Sequence, residues 1–239
     1  MIPLTKGKYT ATKAADDADM VEVYGLRRLC FGAAGGAADH FDSQATHVLI
    51  RTLNGEVVGS FRMSLLDGPQ LGQSYAAVSY DMSALESFAG PLLELGRFCI
   101  HPDHTNPDIL RIAWAALTTF VDEAGVQMLF GCSSFSGTDP EVYREAFAIL
   151  KARHLGPEAL RPAVKADEVF RFDAMLRHKP DLAKGNAVMP PLLRTYLMMG
   201  GWVSDHAVVD CAMNTLHVFT ALEIGAIPAA RKKLLRALV

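Results

Sequence analysis

The chain has 239 residues, 50% of them hydrophobic and 21% charged, with a formal net charge of −3. That balance excludes a mainly disordered chain, and 23 Lys and Arg against 26 Asp and Glu leave no cationic surplus for a nucleic-acid binder. No run of about 18 apolar residues exists to span a bilayer, and the start MIPLTKGKYT lacks the apolar segment of a signal peptide, so a cytoplasmic protein is expected.

Asp16 and Asp17 precede a helical spacing of Met20, Val23, Tyr24 (or Leu26) and Cys30, which predicts a helix over 16–31. The Gly/Ala stretch 32–38 reads as a mobile loop. Thr46–Leu53 and Glu56–Leu66 read as strands around the hairpin signal Asn54-Gly55. Leu92–Ile100 reads as a buried strand. Pro107 then opens a helix capped by Asn106 and stopped by Gly125, with Leu110, Ala113, Leu117, Phe120 and Ala124 on one face. Val126–Cys132 is the next strand, and Asp139-Pro140 opens a helix to about Arg153. Strand, helix, strand, helix in this order implies a parallel βαβ unit.

Residues 154–190 read as an irregular insertion within a single domain, 1–239. A helix over 192–199 ends at Gly200-Gly201, one or two strands occupy 202–224, and a basic helix over 227–238 carries Arg231, Lys232, Lys233 and Arg236. The expected class is α/β (α+β), a central mixed sheet flanked by helices.

Cys30, Cys99, Cys132 and Cys211 form no CxxC pair and read as core thiols in a reducing compartment. The loop GCSSFSG has neither P-loop spacing nor a lysine, and it is no nucleophile elbow. Three acidic and histidine groups, at 39–42, 101–104 and 205–210, read as solvated polar loops, and no metal is expected.

Glu94 and Arg97 are more informative, because both lie inside the apolar run LLELGRFCI, where an unpaired charge is costly. Strand alternation puts them on opposite faces unless a bulge at Gly96 intervenes. Two readings stay open for Glu94: a carboxylate satisfied by backbone amides, or a desolvated general base. The helix start HPDHTNPDILR offers free N–H groups to a phosphate, but no glycine between His101 and Asp108 lets the backbone wrap a pyrophosphate.

LLELGRFCIHPDHT, LFGCSSFSGTDP and PPLLRTYLMMGGWVSDHAVVDCAMNTLHVF, in that order, resemble the ornithine–acyl carrier protein N-acyltransferases of the GNAT superfamily. So do LRRLCFGAAGGAADHFDSQATHVLI and VVGSFRMSLL, and the likeness spans roughly residues 20–224. More distantly the chain resembles acyl-homoserine-lactone synthases, with an acidic pair and a Glu-x-x-Arg-Phe strand. This resemblance implies a GNAT fold with splayed parallel strands, and transfer of a 3-hydroxyacyl chain from acyl carrier protein to an amino acid's α-amino group. Ornithine is the implied acceptor and lyso-ornithine lipid the product. Glutamine as acceptor, or a non-catalytic acyl-binding protein, are the alternatives.

The same resemblance assigns roles. Glu94 is the candidate base and Tyr143 the candidate proton donor to the leaving thiolate, with helix packing as the plainer reading of Tyr143. Asp39 and Asp42 match the acidic pair, read either as binding a cationic acceptor or as tying down their loop. Arg97 is a candidate for the acceptor carboxylate, and the backbone amides of Phe98 and Ile100 for the thioester carbonyl. Ser133, Ser134 and Asp139 are candidates for lining a substrate pocket. The family's arginine after His-Pro is replaced by Thr105, which passes phosphate contact to Arg111 or Arg28 beside the Asn106 cap. Arg111, Lys151, Arg153 and the C-terminal basic residues are docking candidates for an acidic carrier protein. That terminal helix is also expected to touch the inner face of the membrane. No cofactor is expected beyond the carrier's phosphopantetheine.

Overall fold

The structure, a computed structural model, describes residues 3–237. In chain order it contains β1 (Leu4–Lys6), β2 (Tyr9–Lys13), α1 (Asp17–Gly36), β3 (Thr46–Thr52), β4 (Val57–Leu66), β5 (Tyr80–Asp81) and β6 (Leu92–Ile100). There follow α2 (Pro107–Ala124), β7 (Met128–Ser136), α3 (Arg144–Arg153), β8 (Ala163–Val164), β9 (Val169–Arg171), α4 (Phe172–Met175) and α5 (Leu182–Ala187). Last come α6 (Pro191–Met198), β10 (Trp202–Val203), β11 (His206–Asp210), β12 (Thr215–Glu223) and α7 (Ala229–Arg236). The chain divides into two compact units: Met1–Leu65, Leu93–Gln127 and Pro228–Val239 in one, Leu66–Leu92 and Met128–Ile227 in the other.

In the first unit β1, β2, β3, β4 and β6 lie side by side. Asn54-Gly55 turns β3 into β4 as its residue types dictate, with Gly55 at φ 89°. Val48, Leu49 and Ile50 of β3, Val58 and Phe61 of β4, and Ile109, Ile112 and Ala113 of α2 are buried. α2 follows its sequence signals closely. Asn106 accepts a hydrogen bond from the Asp108 N–H, Pro107 occupies the first turn, and Gly125 closes the helix at φ 64° with its N–H on the Val121 carbonyl.

The stretch 32–38 departs from the expected mobile loop. α1, capped by Asp16, breaks at Gly32 (φ 72°) and then resumes to Gly36. A Cβ on Gly36 would stand 2.4 Å from the Arg28 Cα, so only glycine lets the resumed turn close on the first part of the helix. The expectation failed because this order comes from a contact eight residues back, not from local propensity. At the other end of the chain α7 is shorter than expected, and Leu238 lies outside the described residues.

In the second unit the strand order is β7, β12, β11, β9, with β10 also on β12, and every pairing is antiparallel. β7 runs four residues past its expected end at Cys132. Nine residues pair in register with β12, from Met128 opposite Glu223 to Ser136 opposite Thr215, and the ladder compensates the polar backbone that Ser133–Ser136 would otherwise bury or lose to water. The helix expected from Asp139-Pro140 starts as a 3-10 turn, Pro140–Tyr143, before α3 proper. The irregular stretch 154–190 contributes two short strands, β8 on β5 and β9 on the edge of β11. Phe135, Phe147, Phe170, Phe172, Leu193 and Val218 are among the residues that fill one core of this unit. Leu71, Tyr80, Leu85, Phe130, Trp202 and Phe219 help to fill another.

Candidate active site

Asp39 and Asp42 sit at the centre of an arginine cluster in the first unit. Asp42 is 7% exposed. Its Oδ1 accepts from Arg27 Nη1 at 2.9 Å and from Arg62 Nη1 at 2.8 Å, and its Oδ2 accepts from the Asp39 N–H at 3.0 Å. Asp39 takes Arg62 Nη1 on Oδ1 at 2.5 Å and Arg97 Nη2 on Oδ2 at 2.9 Å. The chain of charges therefore runs Arg27, Asp42, Arg62, Asp39, Arg97. Burial pushes the Asp42 carboxyl up, but the Asp39 N–H and the Arg27 and Arg62 guanidiniums outweigh it and hold the group below the usual carboxylate range. Burial likewise opposes Arg62 and Arg97 at Asp39, and the arginines prevail there too.

His47 belongs to the cluster. It faces Arg62 across the β3–β4 ladder. Its Nε2 lies 3.0 Å from the Asp42 backbone carbonyl and its Nδ1 lies 3.1 Å from Arg27 Nη2. A carbonyl only accepts and a guanidinium only donates, so the ring carries its proton on Nε2 and is neutral. The Arg62 guanidinium also covers the Phe41 ring at 5.4 Å.

Strand β6 brings Arg97 to this cluster by a backbone device. Arg97 has φ 51°, the left-handed region, inside a strand. That breaks the simple alternation one residue after Gly96, the position where a bulge would do so. Gly96 faces Arg62, since a Cβ there would lie 3.3 Å from Arg62 Nε. Two positions earlier, on the same strand face by alternation, Glu94 is buried at 5% exposure.

The remaining first-unit candidates are more dispersed. The Phe98 ring stacks on Phe61 at 5.6 Å, and the Ile100 carbonyl accepts from the Cys30 thiol at 3.4 Å. Asn106 uses its side chain to cap α2, Arg111 pairs with Asp108 at 2.6 Å, and Arg28 is exposed on α1. In the second unit Ser133 and Ser134 are strand residues rather than loop residues, opposite Val218 and His217, and Ser133 Oγ accepts from Thr220 Oγ1 at 2.9 Å. Asp139 caps the 3-10 turn through the Glu141 N–H. Tyr143 donates its hydroxyl to the Ser136 carbonyl at 2.7 Å. Lys151 donates to the carbonyls of Phe172 and Leu176 and pairs with Asp173, while Arg153 is exposed.

Two of the three polar groups expected as solvated loops are built into the fold. Asp39 and Asp42 form the cluster above, and His206 is fully buried in β11 with Nδ1 2.8 Å from Asp205 Oδ1. Burial won there because β11 is paired on both edges. Among the described residues, no group of three or more His, Cys, Asp or Glu is arranged to hold a metal ion. Sequence reasoning missed Arg27, Arg62 and His47. Arg62 carried a signal, a charge inside the apolar strand VVGSFRMSLL, and Arg27 falls four residues after Val23 on the buried helix face. Nothing local marked His47.

This α+β fold, with its charged cluster beside a buried glutamate, is that of an acyltransferase of the GNAT class. The acetyltransferase (GNAT) domain family matches residues 26–115. The chain belongs to the L-ornithine N(alpha)-acyltransferase family. It is 35% identical over 196 residues to the Rhodobacter capsulatus protein of that name, covering 79% of this chain and 75% of that one. A Rhizobium meliloti protein of the same name is 29% identical, covering 79% and 67%. FeeM, an N-acyl amino acid synthase from uncultured soil microbes, shares the fold with a TM-score of 0.55 at 13% identity, over 98% of this chain and 99% of that one. The loading GNATL domain of CurA from Lyngbya majuscula also gives 0.55 at 13% identity, over 92% and 99%.

Proposed function

We propose that this acyltransferase moves a 3-hydroxyacyl chain from the phosphopantetheine of acyl carrier protein to the α-amino group of ornithine, giving lyso-ornithine lipid for aminolipid biosynthesis. The observation that carries this reading is the buried Glu94 on the strand whose Arg97 is ion-paired to Asp39, in a chain whose relatives are named as L-ornithine N(alpha)-acyltransferases.

An ammonium has no lone pair, so the acceptor's α-amino group first gives a proton to Glu94, directly or through water. The amine nitrogen then attacks the thioester carbonyl carbon. The C–N bond forms, the C–S bond breaks, and the sulfur leaves as a thiol. Glu94 gives its proton to that sulfur, and the carboxylate so freed takes the surplus proton from the attacking nitrogen and releases it to solvent, leaving the neutral amide. Tyr143, whose hydroxyl proton is committed to the Ser136 carbonyl, takes the packing role. Backbone N–H groups near Phe98 and Ile100 are assigned the carbonyl oxygen's developing charge. Asp39, with 21% of its side chain exposed, is assigned the acceptor's cationic end and Arg97 its carboxylate, while Asp42 holds both in place.

The absence of glycine between His101 and Asp108 favours a donor with one phosphate over CoA. Exposed Arg28, Arg111 and Arg153 suit an acidic carrier protein. Among the described residues no helix is long and apolar enough to cross a membrane. Contact with an anionic bilayer is proposed for α7, where exposed Arg231 and Lys233 flank Leu234, itself 59% exposed.

The test is purified protein with 3-hydroxyacyl carrier protein or the matching acyl-CoA, against ornithine, glutamine and other amino acids. Ornithine acylation from the carrier is expected, with CoA a poor donor. Donor left unconsumed with every acceptor would sink the proposal, and equal use of CoA would remove its carrier component. Glu94→Gln is expected to cut turnover about 100-fold or more with donor binding unchanged.

A further inference from the structure

Arg27, Arg62 and Arg97 converge on Asp39 and Asp42 in the buried cluster. His47 sits between two of the arginines, opposite Arg62 on the ladder and hydrogen-bonded to Arg27. Arg27 has no exposed surface and Arg62 has 2%. Solvent is therefore excluded from the place where a proton on the ring would put its charge.

We infer that His47 is a positioning residue for acyl transfer: its neutral ring accepts from Arg27 on Nδ1 and donates to the Asp42 carbonyl on Nε2, and protonation dissolves the cluster that fixes Asp39 and Arg97. A proton on Nδ1 turns that nitrogen into a donor facing a donor. Arg27 Nη2 must then leave, and Arg27 is one of the two guanidiniums on Asp42 Oδ1. Asp42 in turn orders the loop through the Asp39 N–H, and Asp39 holds Arg97.

The groups that bear on the ring come from two elements and the turn before β3. Arg27 comes from α1, Arg62 from β4, and Asp42 from the turn before β3. Tyr24 of α1 stands behind Arg27, its ring 5.6 Å from the guanidinium. The Asp42 carboxylate lies 3.8 Å from Nε2 and favours the charged ring, but it is shared by two arginines. Burial dominates, and with the arginine charges it holds the imidazole below its usual pKa. At neutral pH the ring is thus held in the state the cluster requires.

The inference rests on the proposed reaction, and its test separates the two. Ring 15N-correlated NMR of the wild-type protein is expected to show His47 protonated on Nε2 and titrating below its ordinary value. His47→Leu is expected to lower kcat over KM on the order of 10-fold at every pH. His47→Gln, whose amide accepts from Arg27 and donates to Asp42, is expected to restore most of that rate and to remove one proton from the acid limb of the pH profile. Thermal melts of each variant separate misfolding from misplacement. A His47 ring titrating normally or protonated on Nδ1, or a Leu variant with the wild-type rate and profile, would overturn the inference. Failure to transfer acyl groups to any acceptor would remove the reaction, and the ring spectrum would still decide the state of His47.

Discussion

Gly36 lies directly on the backbone of Arg28, with the site of its missing Cβ 2.4 Å from the Arg28 Cα and 2.7 Å from its nitrogen. The break at Gly32 makes this possible, because φ 72° folds the end of α1 back on its own preceding turns. The loop carrying Asp39 and Asp42 leaves from that point. Gly36→Ala forces backbone apart from backbone, with no flexible side chain to yield. It is expected to cost about 3 kcal/mol or more, read as a lower midpoint in urea unfolding. Ornithine KM should rise in the fraction that folds. Gly32→Ala is expected to cost about 1–3 kcal/mol, because φ 72° with ψ −168° is backbone that glycine alone adopts freely.

The two aspartates are expected to behave differently although they stand three residues apart. Asp42 is almost wholly enclosed and holds two arginines, so Asp42→Asn leaves buried guanidiniums short of charge and should cost about 3–5 kcal/mol. Asp39 retains exposure, and Asp39→Asn should cost less stability while raising ornithine KM selectively. Thermal melts and steady-state kinetics on both variants check this. Equal loss of stability at both positions, with no KM difference, would contradict the division of roles.

Acid should weaken the second unit through His217. Burial pushes its pKa down to about 4, while an unfolded histidine titrates near 6.5. Between these values the unfolded chain binds more protons than the folded one, so stability is full above about pH 6.5 and falls as pH drops towards 4. His217 alone would contribute a change on the order of 3 kcal/mol across that window. The Tyr80 hydroxyl donates to the His217 carbonyl at 2.9 Å and lies 3.1 Å from Nδ1. Urea melts from pH 4.5 to 7.5 should show the slope, and His217→Gln should flatten it.

Legibility followed the range of the interactions involved. α2 was readable to the residue, since Asn106, Pro107 and Gly125 act within one turn of themselves. β6 was readable because Leu92, Leu93 and Leu95 bury both of its faces. The resumed turn at Gly36 was not, because it depends on Arg28 across a break. The length of β7 was not, because Ser133–Ser136 look like a loop until β12 pairs with them. At the site, Glu94 and Arg97 stood out as charges in an apolar strand. The acidic pair was visible only by its likeness to a family pattern. Its partners Arg27, Arg62 and His47 come from α1, β4 and β3, and only folding brings them together.

Arg97 closes one position of this chain to sequence drift. Glycine would relax the φ of 51° but discard the guanidinium that Asp39 holds. Any other side chain keeps the backbone strain and loses the ion pair, and lysine offers a single charge without the planar fork. No substitution improves one property without surrendering the other. The residue is therefore held in place jointly by backbone conformation and by charge, so a protein engineer seeking to retune the acceptor site has more freedom at its neighbours than here.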